Sequence, residues 1–382
     1  MRSSYKKLGP FISPHGPLNE EMEVKELLGI SNQKFFQKSH TNTVGIDLST
    51  YRIVRTNQFA FNRATTRNGE KISIALRQGD NCIVSPSYRI FKVNDENELL
   101  SEYLFMWFKR PEFDRYVRFK SHGSAHEFFE YDQMCEVELP IPCISKQREI
   151  VEEYNVIQKR INLNQQLIQK LEETVETIYK LWFVNEVDSK NLPNGWRIGR
   201  LNEMSEFINA GLIPKYINEG DDIVLGQRCV HDNYIDLHFA RPHIPKDNCL
   251  LLKFGDILIN STGGGTLGRV GQIYFEPKRL AFDSNMTLVR AAKDCYIDYL
   301  GCLLSQKEEY FIQISQGSTN QTRLYCSMVS PVEILIPDDL ILAEFKKKVR
   351  KVKILQQKLR HEVISLINIK DLLLSKLATT EN

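Results

Sequence analysis

The chain repeats its own layout at a distance of about 195 residues, and this repeat constrains the fold more than any other feature. A Gly-Ser pair, a polar stretch and an apolar segment ending in proline occupy residues 123–142, and the same succession returns at 317–337. A pattern kept at this distance predicts two similar modules instead of one continuous domain.

Two further segments keep the order of the repeat. "IVRTNQFAFNR" parallels "LLKFGDILINS", which aligns Asn62 with Asn260. "SEYLFMWF" parallels "IDYLGCLL", which aligns Tyr103 with Tyr299. Each module therefore combines short apolar strands, turns and a helix, the latter predicted around 99–119 and again around 296–313.

Each copy finishes in a long stretch without Gly or Pro, at 144–192 and 338–382. Apolar residues recur there at alternating intervals of four and three, which is the a/d seam of a heptad repeat. The predicted seam comprises Ile150, Ile157, Ile161, Asn164, Ile168, Leu171 and Ile178, and then Phe345, Val352, Leu359, Val363, Leu366 and Leu373. The two seams share one phase. Polar seam positions Asn164, Gln356 and Lys370 are expected to lower stability while fixing the register.

The predicted fold class is therefore α+β: two similar α/β modules separated by a long antiparallel two-helix coiled coil, as a pseudo-two-fold internal repeat. The predicted boundaries are residues 1–144 for the first module, 145–190 for the first helix, 191–337 for the second module and 338–382 for the second helix. At about 1.5 Å per residue, the first helix would carry the chain roughly 57 Å.

Composition adds mainly exclusions. The net charge is +2 and the hydrophobic content 42%, so any polyanion-binding surface must be local. No apolar run approaches the length of a membrane span, and a cytoplasmic chain without membrane partners is expected. The eight cysteines include no C-x-x-C pair, so no metal site is predicted. No catalytic constellation emerges.

Two segments imitate known motifs. Residues 260–271 read "NSTGGGTLGRVG" and match G-x-G-x-x-G, but apolar segments on both sides favour a β-hairpin over a nucleotide loop that opens a helix. Residues 337–348 contain Asp338 and Glu344-Phe345-Lys346, in the manner of a nuclease signature. Because Phe345 is a seam residue, a helix with Asp338 or Asp339 as its N-cap is favoured.

The loops of both modules are rich in side chains that contact bases and phosphates. The candidates in the first module are Asn62, Arg63, Thr66, Arg67, Lys71, Ser124 and His126. Those in the second module are Arg228, Asn260, Ser261, Thr262, Arg269, Asn285, Ser318, Asn320, Gln321 and Arg323. Polar loops are common on any protein surface, and the weight of this signal lies in its recurrence at equivalent places.

This layout resembles the DNA-specificity subunit of Type I restriction-modification systems along essentially the whole chain. The segments "FNRATTRNGEKIS" and "INSTGGGTLGRVG", the strands "VELPIP" and "VEILIP", and the helix opening "SKQREIVEEYNVI" carry the resemblance. It implies that the modules are target-recognition domains for the two halves of a split, asymmetric site in double-stranded DNA. It also implies spacer helices that dock two methyltransferase subunits, with restriction subunits joining the complex.

The resemblance further implies a non-catalytic chain that binds no cofactor, with S-adenosylmethionine, ATP and Mg in the partner subunits. The acidic-Gln pair usual at the start of the helix appears here as Lys146-Gln147 and is absent from the second copy, which departs from the family pattern for a docking helix. Two alternatives remain: the specificity subunit of a Type IIB-like methyltransferase-nuclease system, and a non-catalytic two-headed adaptor that binds protein or RNA.

Overall fold

The computed structural model describes residues 5–39, 45–64, 71–121, 128–185, 187, 191–231, 233–246, 249–317 and 322–380. The chain divides into two compact units. Unit 1 combines Met1–Asn162 with Ile364–Asn382, and unit 2 is Leu163–Val363. Each unit therefore contains one predicted module together with part of both long helices.

Unit 1 is built from short strands and helices in an α+β arrangement. Its elements are β1 (Tyr5–Lys7), β2 (Ile12–His15), β3 (Leu28–Ile30), β4 (Phe36–Lys38), β5 (Arg52–Val54), β6 (Gln58–Asn62), β7 (Ile74–Leu76), β8 (Cys82–Val84), β9 (Tyr88–Val93), α1 (Ser101–Phe108), α2 (Pro111–Lys120), α3 (Tyr131–Cys135), β10 (Glu138–Pro140) and the first part of α4 (Ile144–Lys180). The main sheet has the order β2-β9-β6-β7, and stacked Phe59 and Phe91 lie in its core.

Unit 2 repeats this succession. Its elements are β11 (Arg197–Arg200), β12 (Ser205–Ala210), β13 (Ile223–Leu225), β14 (Val230–His231), β15 (Asn233–Ile235), β16 (Arg241–Pro242), β17 (Ile257–Asn260), β18 (Val270–Gln272), β19 (Leu280–Phe282), β20 (Met286–Ala291), α5 (Ile297–Ser305), α6 (Glu308–Ile314), α7 (Cys326–Val329), β21 (Glu333–Ile336) and the first part of α8 (Asp339–Lys376). The sheet order β12-β20-β17-β18 matches that of unit 1 and continues into β15 and β14.

The predicted repeat extends to individual contacts. Asn62 pairs with Tyr88 in the β6–β9 register, and the aligned Asn260 pairs with Met286 in the β17–β20 register. Tyr103 donates a hydrogen bond to the carbonyl of Pro140 at 3.0 Å, and the aligned Tyr299 donates one to Leu335 at 2.6 Å. In both units this bond ties the first helix to the strand that ends in proline.

The single helix predicted in each module is wrong in detail, because the structure has two. In unit 1 the break between α1 and α2 falls before Pro111, which lacks the N–H needed to continue a helix but suits a first helical position. In unit 2 the break falls at Gln306 and Lys307, without a proline, and sequence gave no signal for it.

The long helices pair antiparallel within each unit, as predicted. In unit 1, Ile150 and Tyr154 near the start of α4 share a core with Leu374 near the end of α8. In unit 2, Tyr179 near the end of α4 lies 6.4 Å from the ring of Phe345 near the start of α8. The predicted seam residues are all buried or half-buried, including Asn164 and Gln356 at 3% and 4% exposure.

Gln147, singled out by the resemblance, has a structural role in unit 1. Its side chain is fully buried, accepts the N–H of Leu100 at 2.9 Å and donates to the carbonyls of Glu98 and Pro142. The equivalent position in the second copy is Leu342, which is equally buried in an apolar core. The start of the second helix is therefore held by apolar packing at the position where the first helix uses hydrogen bonds.

Candidate nucleic-acid interface

The glycine-rich segment of unit 2 is a hairpin, as predicted. Strands β17 and β18 run antiparallel, with Ile257 opposite Gln272 and Ile259 opposite Val270. Gly263, Gly265 and Gly268 have positive φ angles of 104°, 78° and 84°. Because a strand follows the glycines, they do not open a helix of their own, as the loop of a nucleotide-binding fingerprint does.

Several contacts fix the shape of this hairpin loop. The Gln227 side-chain amide donates to the carbonyl oxygen and to the hydroxyl of Thr262, and its backbone carbonyl accepts from Asn260 at 3.1 Å. The Ser261 hydroxyl lies 2.7 Å from that of Thr287. Asn260 and Ser261 are only 0% and 2% exposed, so the structure places these two predicted contact residues inside the fold, where they hold the loop.

The same hydrogen bond joins two polar loops in each unit. In unit 1, Phe129 donates its N–H to the carbonyl of Arg63 at 2.8 Å. In unit 2, Leu324 donates to the carbonyl of Ser261, also at 2.8 Å. The first residues after β6 or β17 therefore lie beside the described residues that end the loop following the second short helix.

A third segment, around Asp283, completes the loop cluster of unit 2. Asn285 donates its N–H to the Asp283 carboxylate and accepts from the N–H of Ser261, both at 2.8 Å. Arg323 donates to the carbonyl of Ser284 at 2.8 Å. Burial raises the pKa of Asp283, against the hydrogen bonds from Asn285 and the nearby charges of Arg241 and Arg323. The carboxylate thus organises a turn with cationic side chains around it.

In unit 1 the corresponding loops carry Arg63 and Lys71. The Arg63 guanidinium lies 2.8 Å from Glu130 and 4.7 Å from the ring centre of Phe128. Arg89 shares the same carboxylate at 3.2 Å. Arg63 is therefore held in place by its neighbours and remains about one-third exposed, whereas Lys71 is exposed.

The remaining predicted residues differ in accessibility. Arg228 is exposed beside the ring of Phe239, and Asn62, Thr262, Arg269, Asn285 and Arg323 are half-buried. Seven predicted residues lie outside the described ranges: Thr66, Arg67, Ser124, His126, Ser318, Asn320 and Gln321.

Sequence analysis missed Arg241 and Tyr216. The Arg241 guanidinium lies 3.3 Å from the ring centre of Tyr216, and both side chains are exposed. A bridge between Leu212 and Asp283 brings this segment beside the loop cluster. Arg241, in the segment "ARPH", lies there only through pairing between distant segments. Such pairing has no local sequence pattern, so the sequence did not indicate this residue.

The nuclease-like segment is the start of a helix. Asp338 accepts the N–H of Leu340 at 2.8 Å as an N-cap, as predicted. Phe345 is fully buried and Lys346 forms an ion pair with Asp294. The carboxylate and lysine therefore have structural partners and do not converge on one site.

Within the described ranges, no three His, Cys, Asp or Glu side chains come together as a metal site requires. No helix in the described part of the chain has both the length and the hydropathy needed to cross a bilayer.

Comparison with known proteins agrees with this architecture. Residues 18–173 match the family model of the Type I restriction modification DNA specificity domain. The chain is 20% identical to the specificity subunit of the Type I restriction enzyme HindI of Haemophilus influenzae, over 92% of each protein. The chain is thus similar to Type I specificity subunits.

Two further relatives support this relationship. The MjaIX specificity subunit of Methanocaldococcus jannaschii is 24% identical over 31% of this chain and 30% of its own length. The crystal structure of the S subunit of a Type I restriction-modification system from M. genitalium superimposes with a TM-score of 0.67, at 15% identity, over 99% of this chain and 96% of that one. At that identity the superposition establishes a shared fold.

Glycine-to-alanine variants test the packing of the hairpin loop in unit 2. A Cβ on Gly268 would lie 2.7 Å from the backbone oxygen of Glu308, whereas one on Gly265 or Gly264 meets no described atom within 4 Å. We expect Gly268→Ala to lower the free energy of unfolding by more than the roughly 1–2 kcal/mol that a left-handed conformation alone costs. Gly265→Ala should cost about that amount. Gly264→Ala, without a positive φ, should cost least.

Urea unfolding of the three full-length variants measures this order. Equal losses at Gly264 and Gly268 would show that the loop does not pack against α6 as described.

Proposed function

We propose that this chain is the DNA-specificity subunit of a Type I restriction-modification complex, and that each module contacts one half of a split, asymmetric DNA site. The observation that carries the proposal is the shared hydrogen bond that gathers two polar loops in each unit, Phe129 to Arg63 and Leu324 to Ser261. The loops share a framework but differ in chemistry, which favours half-sites of different sequence.

The spacer helices support a fixed gap between the half-sites. Helix α4 has 37 residues and α8 has 38, so each extends about 55 Å, more than the roughly 34–36 Å of one DNA turn. Their antiparallel seams suit a stiff spacer. We therefore propose that helix length sets the number of base pairs left unread.

The outer surfaces of these helices suit docking of two methyltransferase subunits. Leu163 and Leu167 on α4 are 52% and 44% exposed, and on α8 Leu340 and Leu372 are 77% and 62% exposed. Apolar residues on an otherwise charged helix face are typical of a protein interface. Restriction subunits would join through the same complex.

Chemistry in this proposal belongs to the partners. This chain would position DNA, while partner subunits bind S-adenosylmethionine, ATP and Mg and carry out methylation and cleavage. With a net charge of only +2, much of the attraction for phosphates would come from the partners, because phosphate neutralisation dominates affinity.

Arginine variants test DNA contact by unit 2. The target site is first obtained from the methylome of a host that expresses this chain with its methyltransferase subunit. We expect Arg228→Ala and Arg323→Ala each to weaken binding of that duplex to the assembled complex by about 1–3 kcal/mol at fixed salt, the cost of a lost base contact.

The matched control is Arg197→Ala. Arg197 is exposed on β11 and paired with Glu203 at 2.6 Å, so its loss removes the same charge away from the loops. The affinity of the Arg197→Ala complex for DNA should stay near that of the unmodified complex. Equal affinities for the Arg228→Ala, Arg323→Ala and Arg197→Ala variants would contradict the proposal that the loop cluster contacts DNA.

A further inference from the structure

A cavity of about 770 Å³ opens in unit 1, where helices α1 and α2 face parts of α4 and α8. Cationic side chains dominate its charged lining: Lys34, Lys71, Arg77, Lys109 and Lys370, against the carboxylates of Asp114 and Asp371. Lys71 is the one lining residue of this cavity that is also a predicted DNA-contact residue.

Two of these cations are neutralised by carboxylates. The Lys34 ammonium lies 2.8 Å from Asp114, deep in the fold. The Arg77 guanidinium lies 2.8 Å from Glu26. These pairs account for Asp114, and on the rest of the lining Lys71, Lys109 and Lys370 outnumber the remaining carboxylate of Asp371.

Lys109 and Lys370 have only neutral hydrogen-bond partners. The Lys109 ammonium donates to the Tyr154 hydroxyl at 3.0 Å, and that of Lys370 donates to the side-chain amide oxygen Oε1 of Gln158 at 3.1 Å. Neither forms an ion pair with a carboxylate among the described residues. Both side chains are half-buried, so water screens them only in part.

The two lysines also affect each other. Burial, followed by repulsion from Lys370, lowers the pKa of Lys109 to about 8, although Glu102 opposes this shift. Like charges in a half-buried cavity destabilise one another, and an anion between them would relieve that repulsion. Side-chain amides of Gln78 and Asn162 on the same lining can donate hydrogen bonds to the oxygens of such an anion.

We propose that this cavity binds a phosphate group, with Lys109 and Lys370 as its charged ligands. Two sources share this chemistry: a backbone phosphate of duplex DNA and a free polyphosphate. The position of Lys71 on the lining, at the end of the loop predicted to contact DNA, links the cavity to the first source. The test with a free polyphosphate does not depend on the function proposed above.

Two variants remove the proposed ligands. Lys109→Met keeps an unbranched stem against the ring of Phe105, whose centre lies 4.4 Å from the ammonium. Lys370→Gln keeps a polar side chain beside Gln158. The matched control is Lys146→Gln, which removes the same charge from an exposed lysine of unit 1 paired with Glu149 at 2.8 Å.

The first measurement is calorimetric titration of the full chain with inorganic tripolyphosphate. We expect binding by the unmodified chain and the control, and at least about tenfold weaker binding by either cavity variant, which corresponds to loss of one charge-assisted contact. If Lys109→Met lowers the melting temperature, Lys370→Gln alone decides the result.

The second measurement is the salt dependence of binding to a random-sequence DNA duplex. Loss of one backbone contact should reduce the logarithmic slope by about 0.9. A reduced slope for the cavity variants assigns the site to the DNA backbone, and weaker tripolyphosphate binding with an unchanged slope assigns it to a free polyphosphate. If neither probe distinguishes the folded variants from the control, the proposal is overturned.

Discussion

Replacing Phe345 with alanine is expected to destabilise unit 2 by about 3–5 kcal/mol, the range for deletion of a buried aromatic side chain. Phe345 is fully buried, and its ring centre lies 5.0 Å from that of Phe183 and 6.0 Å from that of Trp182. Truncation would remove these contacts at the start of α8 and leave a cavity where it meets α4.

The measurement is equilibrium unfolding in urea, followed by tryptophan fluorescence because Trp182 lies beside the site. Lys346→Ala is the matched control on the next residue. Lys346 pairs with Asp294, whose side chain is 57% exposed, and exposed ion pairs contribute about 0–1 kcal/mol. A larger loss for Lys346→Ala than for Phe345→Ala would contradict the helical interpretation of this segment.

The pairing of the two helices could be predicted from sequence because periodicity is local and the repeat supplies a second copy. Phe345 illustrates this, because its position in the heptad repeat predicted a helix although the residues around it resemble a nuclease motif. The β-hairpin after Asn260 was predictable for a similar reason: apolar segments flank a cluster of glycines.

Contacts between distant segments were not predictable. Gln147 was considered as a feature of partner docking, but the structure buries it against Leu100 and Pro142. The aligned Leu342 fills the same kind of place with an apolar side chain. Composition and spacing do not predict that a buried glutamine and a leucine occupy equivalent positions. Which residue fits depends on the carbonyl groups around each position, and the sequence alone does not show these.

The candidate site also combines features that the sequence predicts with features that it does not predict. Sequence composition indicated which loops are polar, and the repeat indicated which loops correspond. Burial of Asn260 and Ser261, however, follows from their hydrogen bonds to Gln227 and Thr287 across the sheet. Arg241 was not predicted as a contact residue, because it lies near Asp283 only through the pairing of segments that are far apart in sequence.

Exchange of residues 196–337 for the corresponding module of a relative is expected to change one half of the methylated site completely and leave the other half and the gap unchanged. The cut points suit this exchange because β11 pairs with β21 from Arg197 opposite Ile336 to Arg200 opposite Glu333. Both paired terminal strands of the module are therefore exchanged together. The helices that would set the gap, α4 and α8, are retained from the original chain.

Four ion pairs among the described residues of unit 2 cross the second cut point and dictate the choice of donor. Lys293 pairs with Asp339, Lys346 pairs with Asp294, and Arg350 pairs with both Asp294 and Asp298. The Asp298 side chain is fully buried, so a donor without it would leave a charge of Arg350 without its partner, at a cost of about 3–5 kcal/mol. A donor with acidic residues at both aligned positions avoids that loss.

Methylome sequencing of a host that carries the chimera reads the outcome directly. The control is the reciprocal chimera with a foreign first module, which should change the opposite half-site. A second chimera uses a donor module that lacks the acid aligned with Asp298, and it is compared with the same chimera in which that acid is restored. This comparison separates failure to fold from loss of sequence recognition. If a stable chimera methylates the original site, recognition of that half-site does not reside in residues 196–337, and the two-module proposal fails.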